Sequence, residues 1–370
     1  MNISRNLAAR AAPPVLLALA LAAVPAAHAA DNVYEQHNLV SDGFVPADNT
    51  DPDLVNAWGI AFNPTMVVWV ADNGTGVATL YDGHGTAGAL VVTIPKAANN
   101  TEGANPTGIV FNGTKDFATS AGPSLFIFAS EDGSISAWMP GTTAAVLEVD
   151  NSKNGAVYKG LALGADGIDS RLYAADFHNN RIDVFDRTFT PVTLPGAFKD
   201  PHLPPGFAPF GIRNLDGNIY VTYAKQDKDK HDDVAGRGNG FVNVFDPKGV
   251  LIQRVVTRGQ LNSPWGLAIA PAGFGKFSHH LLVGNFGDGH INAYELESGE
   301  FAGQLRDGHG KSLHIEGLWG LSFGNGYLFQ SVNTLFFTAG PGDEQHGLYG
   351  KIDVKQGMGR DDSHDREDDD

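Results

Sequence analysis

The chain has 370 residues, a formal net charge of -17, no cysteine, 46 glycines and 20 prolines. Such an acid excess repels nucleic acid and anionic lipid and favours cations or cationic partners. Without cysteine there is no thiol chemistry and no c-type haem attachment, so stability has to come from packing.

Residues 1–29 open with Arg5 and Arg10, run through the apolar stretch Val15 to Val24 and end in Ala27, His28 and Ala29. A charged start, a short apolar middle and an Ala-x-Ala end predict a signal peptide cleaved after Ala29. The apolar stretch is too short to span a membrane. The expected location is therefore outside the cytoplasm, periplasmic or extracellular.

The step Trp58, Gly59, Ile60 opens a pattern whose glycine returns at Gly108, Gly160, Gly211, Gly266 and Gly320. A strand-rich repeat of about 50 residues predicts a six-bladed β-propeller, one four-stranded blade per repeat, in a single all-β domain over residues 33–355. First strands are expected at Gly59 to Phe62, Gly108 to Phe111, Gly160 to Leu163, Gly211 to Asn214, Gly266 to Ile269 and Gly320 to Phe323. These lie nearest the propeller axis, where glycine permits close backbone approach. The residue before the glycine is Trp58, Phe210, Trp265 or Trp319 in four blades, read as a wedge between blades, and Thr107 or Lys159 in the other two.

Second strands such as Val67 to Ala71 and Leu335 to Ala339 are nearly continuously apolar, as expected of sheets covered on both faces. Fourth strands give the weakest signal, for example Leu90 to Ile94, Ala144 to Val149 and Leu251 to Val255. The sixth repeat has no fourth strand, while Gln36 to Val40 is strand-like and has no repeat of its own. That segment is expected to complete blade six and close the ring, leaving no open edge. Residues 356–370 read as a disordered acidic tail.

Residues 33–355, with their aromatic-Gly-apolar strand starts and phrases such as VADNGTG, AADFHNNRIDVFD, AKQDKDKHDDVAG and LWGLSFGNG, resemble a family of uncharacterised exported bacterial β-propeller proteins related in pattern to NHL-repeat propellers. The resemblance implies a propeller fold, a bacterial source and export. It implies no reaction.

Propeller topology puts the loops between second and third strands on the same face as the loops leading into the first strands. They carry Asp72 and Asn73; Glu131 and Asp132; Asp176, His178, Asn179 and Asn180; the run Asp227 to Asp233; Asn285, Asp288 and His290; and Asp343, Glu344 and His346. Oxygen-rich loops suit Ca2+, and added imidazole also admits another divalent cation. The candidate ligand-binding residues are Asp72, Asp176, His178, Asn179, His231, Asp232, Asn285 and Asp288, with Asp72, Asp176 and Asp232 as metal ligands. The competing reading is turn chemistry, since Asp and Asn after a strand bond their own backbone.

The longest insertion, Lys225 to Gly240, lacks the central Gly and distal Glu of an EF-hand loop. Walker, G-x-S-x-G and H-E-x-x-H signatures are absent. The Glu that gluconolactonase-type propellers offer at the first inner strand is replaced here by Val55, Asn56, Ala57 and Trp58. No catalytic residue is assigned from the sequence. The leading expectation is a monomeric binding module for a cation, glycan or partner protein, acting through its polar loop face. The alternative is a metal-dependent hydrolase or lyase acting on a small molecule at the axial mouth.

Overall fold

The computed structural model describes residues 33–355, so the signal peptide expected over 1–29 and the acidic tail expected over 356–370 lie outside the described residues. Six antiparallel blades follow one another around an axis. Their inner strands are Ala57–Phe62, Pro106–Phe111, Tyr158–Asp166, Phe207–Leu215, Pro264–Ile269 and Leu318–Phe323, each starting just ahead of its repeat glycine.

Those glycines are fixed by inter-blade distance. A Cβ on Gly59 would stand 2.4 Å from the Thr107 carbonyl oxygen, and one on Gly320 would stand 2.7 Å from that of Trp58. Both contacts reach the inner strand of the next blade, so any side chain would push neighbouring blades apart. The register also shifts beside the glycine in every blade. Such bulges re-aim side chains, and here they turn the residue before the glycine towards the axis.

The apolar second strands explain the core. Six of the seven hydrophobic clusters lie between neighbouring blades and the seventh lies on the axis. Burial on both sheet faces is what makes the middle of each second strand mostly apolar. The cluster joining blades six and one, with Leu39, Val40, Ile60, Val70, Phe336 and Tyr349, closes the ring.

Closure follows the expected route. Val33–Ser41 pairs antiparallel with Leu348–Lys355, from Val33 opposite Lys355 to Ser41 opposite Leu348, and supplies the fourth strand of blade six. The outermost strand is least regular where the sequence signal is weakest. In blade three it is reduced to a single bridge between Phe185 and Pro191, because Pro191, Pro195, Pro201, Pro204 and Pro205 remove ladder donors over that stretch. Among the described residues no helix is long and apolar enough to cross a membrane.

Candidate functional site

The four aromatic residues ahead of the repeat glycines, Trp58, Phe210, Trp265 and Trp319, meet on the axis and plug it. Trp58 and Trp319 stack with ring centroids 3.6 Å apart. Trp265 meets both edge-on at 6.1 and 5.9 Å, Phe210 lies 5.8 Å from Trp319, and Phe286 stacks on Trp319 at 3.9 Å. The tryptophans therefore pack mainly against each other rather than as separate wedges, and this buries their faces.

Polar groups of the loop face sit on this aromatic floor in one connected network. Asn56 Oδ1 accepts both buried indole N–H groups, from Trp58 at 2.9 Å and Trp319 at 3.0 Å. Its Nδ2 donates to Asn73 Oδ1 at 3.1 Å and to Glu344 Oε2 at 2.8 Å. The backbone at Asn56 is left-handed, with φ 47°, a conformation Asn tolerates better than most residues. Asn73 in turn donates to Glu131 Oε2 at 2.9 Å.

Glu131 Oε1 accepts from Lys159 Nζ, which also donates to Asp232 Oδ1 at 3.1 Å. The same Asp232 oxygen meets His231 Nδ1 at 2.9 Å. The network thus draws on blades six, one, two, three and four. Lys159 takes the axial position that is aromatic in four blades, so its stem is enclosed and its ammonium rises into the mouth 5.2 Å from the Trp58 ring. It is only 2 % exposed, and a lysine so enclosed needs paired charge.

The electrostatics follow from this pairing. Burial pulls the Lys159 pKa down, and the Glu131 and Asp232 carboxylates more than offset it, leaving it above the ordinary lysine value. The hydrogen bond from His231 holds Asp232 well below the usual carboxylate range, and the same bond raises His231. Burial pushes Glu344 up. Glu131, His231 and Asp232 each offer a ligand atom, all within 4.8 Å of one another. Two carboxylates and an imidazole form a donor set that suits a divalent transition metal better than Ca2+. The Lys159 ammonium already engages one oxygen of each carboxylate, so an added cation would share those groups with it.

Of the candidate ligand-binding residues named from the sequence, only His231 and Asp232 belong to this network, which also takes in Asn73, Glu131 and Glu344 from the loops expected on this face. Asp72 is wholly buried in blade one, where Oδ2 accepts from Thr79 at 2.8 Å and Oδ1 has no partner among the described residues. Burial pushes its pKa well up. Asp176 ties its own turn, accepting from the backbone of Val157 and Asn179, from Asn179 Nδ2 at 2.8 Å and from Arg181 at 3.2 Å.

Asn285 and Asp288 bond to each other at 3.0 Å in blade five, and Asp288 also accepts from Asn262 at 3.2 Å. His178 is half-buried in the blade-three turn. The proposed metal ligands Asp72, Asp176 and Asp232 therefore sit in three blades and do not converge. Each of the first two is engaged by its own blade. Sequence reasoning passes over Lys159 as a metal or ligand residue, although it is the one charge among the six residues that precede the repeat glycines.

No family model matches the chain. It is 34% identical over 327 residues to an uncharacterized protein of Acanthamoeba polyphaga mimivirus, covering 85% of this chain and 78% of that protein. A second uncharacterized protein of the same virus is 32% identical over 327 residues, covering 85% and 84%. These relatives are viral, whereas the sequence pattern suggested bacterial ones. Among solved structures, the virginiamycin B lyase from Staphylococcus aureus is 14% identical, with 88% of this chain and 100% of that chain covered and a TM-score of 0.50. A glucose dehydrogenase is 12% identical with 86% and 98% covered and a TM-score of 0.51. A protein of unknown function from Bacteroides thetaiotaomicron is 12% identical with 88% and 77% covered and a TM-score of 0.53. These last likenesses establish the propeller fold alone.

Proposed function

The chain belongs to the same family as the two mimivirus proteins, and we propose that it is a ligand-binding propeller whose loop-face mouth takes a divalent cation through Glu131, His231 and Asp232. The observation that carries this reading is the convergence of those three side chains, from two blades, to within 4.8 Å of one another. A surface loop with no role at the mouth would not need Asp232 to reach across to a buried lysine of another blade. Lys159 acts here as a positioning group, holding one oxygen of each carboxylate while Asn73 holds the second oxygen of Glu131.

Export, as expected from residues 1–29, and the pattern likeness to NHL-repeat propellers belong to this proposal and fit a binding module outside the cytoplasm. A second reading is a hydrolase or lyase that uses the same cation. It is favoured by one feature, the half-exposed His231 imidazole paired to a carboxylate at 2.9 Å, which is the arrangement a general base requires.

The test is calorimetric titration of the full chain with Mn2+, Zn2+ and Ca2+. One site with Mn2+ or Zn2+ is expected, with affinity falling at least tenfold in Asp232→Asn and His231→Ala. Binding should tighten as pH rises through the raised His231 pKa, because protons compete for the imidazole. Absence of saturable binding, or binding unchanged in both variants, would reject the cation site.

A further inference from the structure

At the opposite end of the axis, beneath the aromatic plug, all six inner strands line a cavity of about 280 Å³ that is roofed by Trp265. Its wall side chains are mostly apolar, with Ile60, Ile109, Leu161, Ile212, Leu267 and Leu321 taking equivalent places in the six blades and Asn214 and Arg213 the polar ones. At the lower strand ends Phe62, Phe111, Leu163, Asn214, Ile269 and Phe323 are all half-buried, so the mouth is open to solvent.

Among the described residues, Arg213 is the one ionisable residue lining this cavity. It reaches from blade four across to blades five and six, where Nη1 donates to the carbonyl oxygens of Leu267, at 3.2 Å, and Leu321, and Nη2 donates to Ser322 Oγ at 2.7 Å. Those bonds occupy three of its five N–H groups. Neither Nε–H nor the second Nη2 hydrogen has an acceptor among the described residues.

No described carboxylate pairs with this guanidinium, whereas Arg171, Arg181 and Arg254 each pair with an aspartate. Burial alone pulls its pKa down to about 10, so it stays charged at neutral pH. A charge held in an apolar chamber without a counter-charge is costly. Free Nε and Nη2 donors suit the two oxygens of a carboxylate.

We infer that the lower axial cavity binds a small monocarboxylate with an apolar body, its carboxylate on Arg213 and its body against the six inner strands. The cavity lies just under the range of about 300 to 1,000 Å³ typical of drug-sized ligands, which restricts the ligand to a few carbons or a single ring. A second charge would find no partner on the walls, so dianions are disfavoured. The plug separates this site from the loop-face network, and neither proposal depends on the other.

The full chain is titrated with benzoate and hexanoate, and with benzamide as the uncharged match for benzoate. At least one of the two acids should bind at one site and raise the melting temperature, with benzamide at least tenfold weaker. Arg213→Met should lose the binding. Because Arg213 also joins three blades, that variant can fail to fold, and Leu163→Trp then serves instead. It narrows the rim from a half-buried position and should abolish acid binding while the unliganded melting temperature changes little. Failure of both acids to bind, equal binding of benzamide, or acid binding retained in Leu163→Trp would each overturn the inference.

Discussion

The two mouths of the axial channel are framed by the same six strands, yet their polar chemistry has different origins. At the loop face the charged groups Glu131, Asp232, His231 and Glu344 come from connections between second and third strands, with Lys159 rising from below to meet them. At the lower mouth the single charge, Arg213, is borne by an inner strand and is held by backbone carbonyls. The loop-face network is nearly self-paired, so a ligand there has to share groups already engaged. The lower cavity is apolar with one uncompensated charge, so a ligand there completes a pair. A ring of similar repeats can thus carry two unlike sites, because loops and strand positions vary independently.

The sharpest way to break this comparison is to remove the floor between the mouths. Trp319→Ala strips two stacking partners and one of the indole bonds to Asn56, and should cost about 4 kcal/mol in denaturant unfolding, in the range for large-to-small core changes. A cost below about 1 kcal/mol would mean that the plug does not organise the axis.

Lys159→Met tests whether the loop-face charges depend on each other. Removing one partner of a buried pair costs about 3 to 5 kcal/mol, and the low end is expected because Asp232 is 67 % exposed. Added Mn2+ should restore part of the lost melting temperature through linkage, and no restoration would count against a shared cation site. Asp176→Ala should cost about 2 kcal/mol by leaving the Val157 and Asn179 amides without their acceptor, and should leave Mn2+ binding unchanged. Weakened binding in that variant would move the site to blade three.

A last effect concerns pH. Asp72 has a folded-state pKa raised well above the unfolded value of 3.8. The folded chain therefore holds a proton the unfolded chain releases, and stability falls as pH climbs from about 4 towards the folded pKa. Asp72→Asn removes that fall. Its melting temperature should match the parent near pH 4 and exceed it increasingly as pH rises from there towards the folded pKa, as scanning calorimetry at several pH values would show. A constant difference across that range would contradict a buried, protonated Asp72.

The fold is legible in the sequence because inner strands can approach only where no Cβ intervenes, so geometry forces a glycine into every repeat. Ring closure is legible for a similar reason, since Gln36 to Val40 and the sixth repeat each lack what the other supplies. The candidate site is legible only in part. His231 and Asp232 stand out because they lie in the longest insertion, but Asp72, Asp176 and Asp288 look alike in sequence and are turned inward by their own blades. What distinguishes Glu131 and Glu344 from them is reach across neighbouring blades, a property of loop direction that no local pattern encodes. Arg213 leaves no signal beyond one charge in an apolar strand.

The most direct test of the central claim, that Glu131, His231 and Asp232 form one cation site at the loop-face mouth, is a crystal structure of the full chain soaked in Mn2+, with the ion located by its anomalous scattering. The account predicts an ion about 2.0 to 2.3 Å from all three side chains, with Lys159 still bonded to the far oxygens of the carboxylates. An ion bound instead at Asp72 or Asp176, or no ion with Lys159 alone between Glu131 and Asp232, would contradict it.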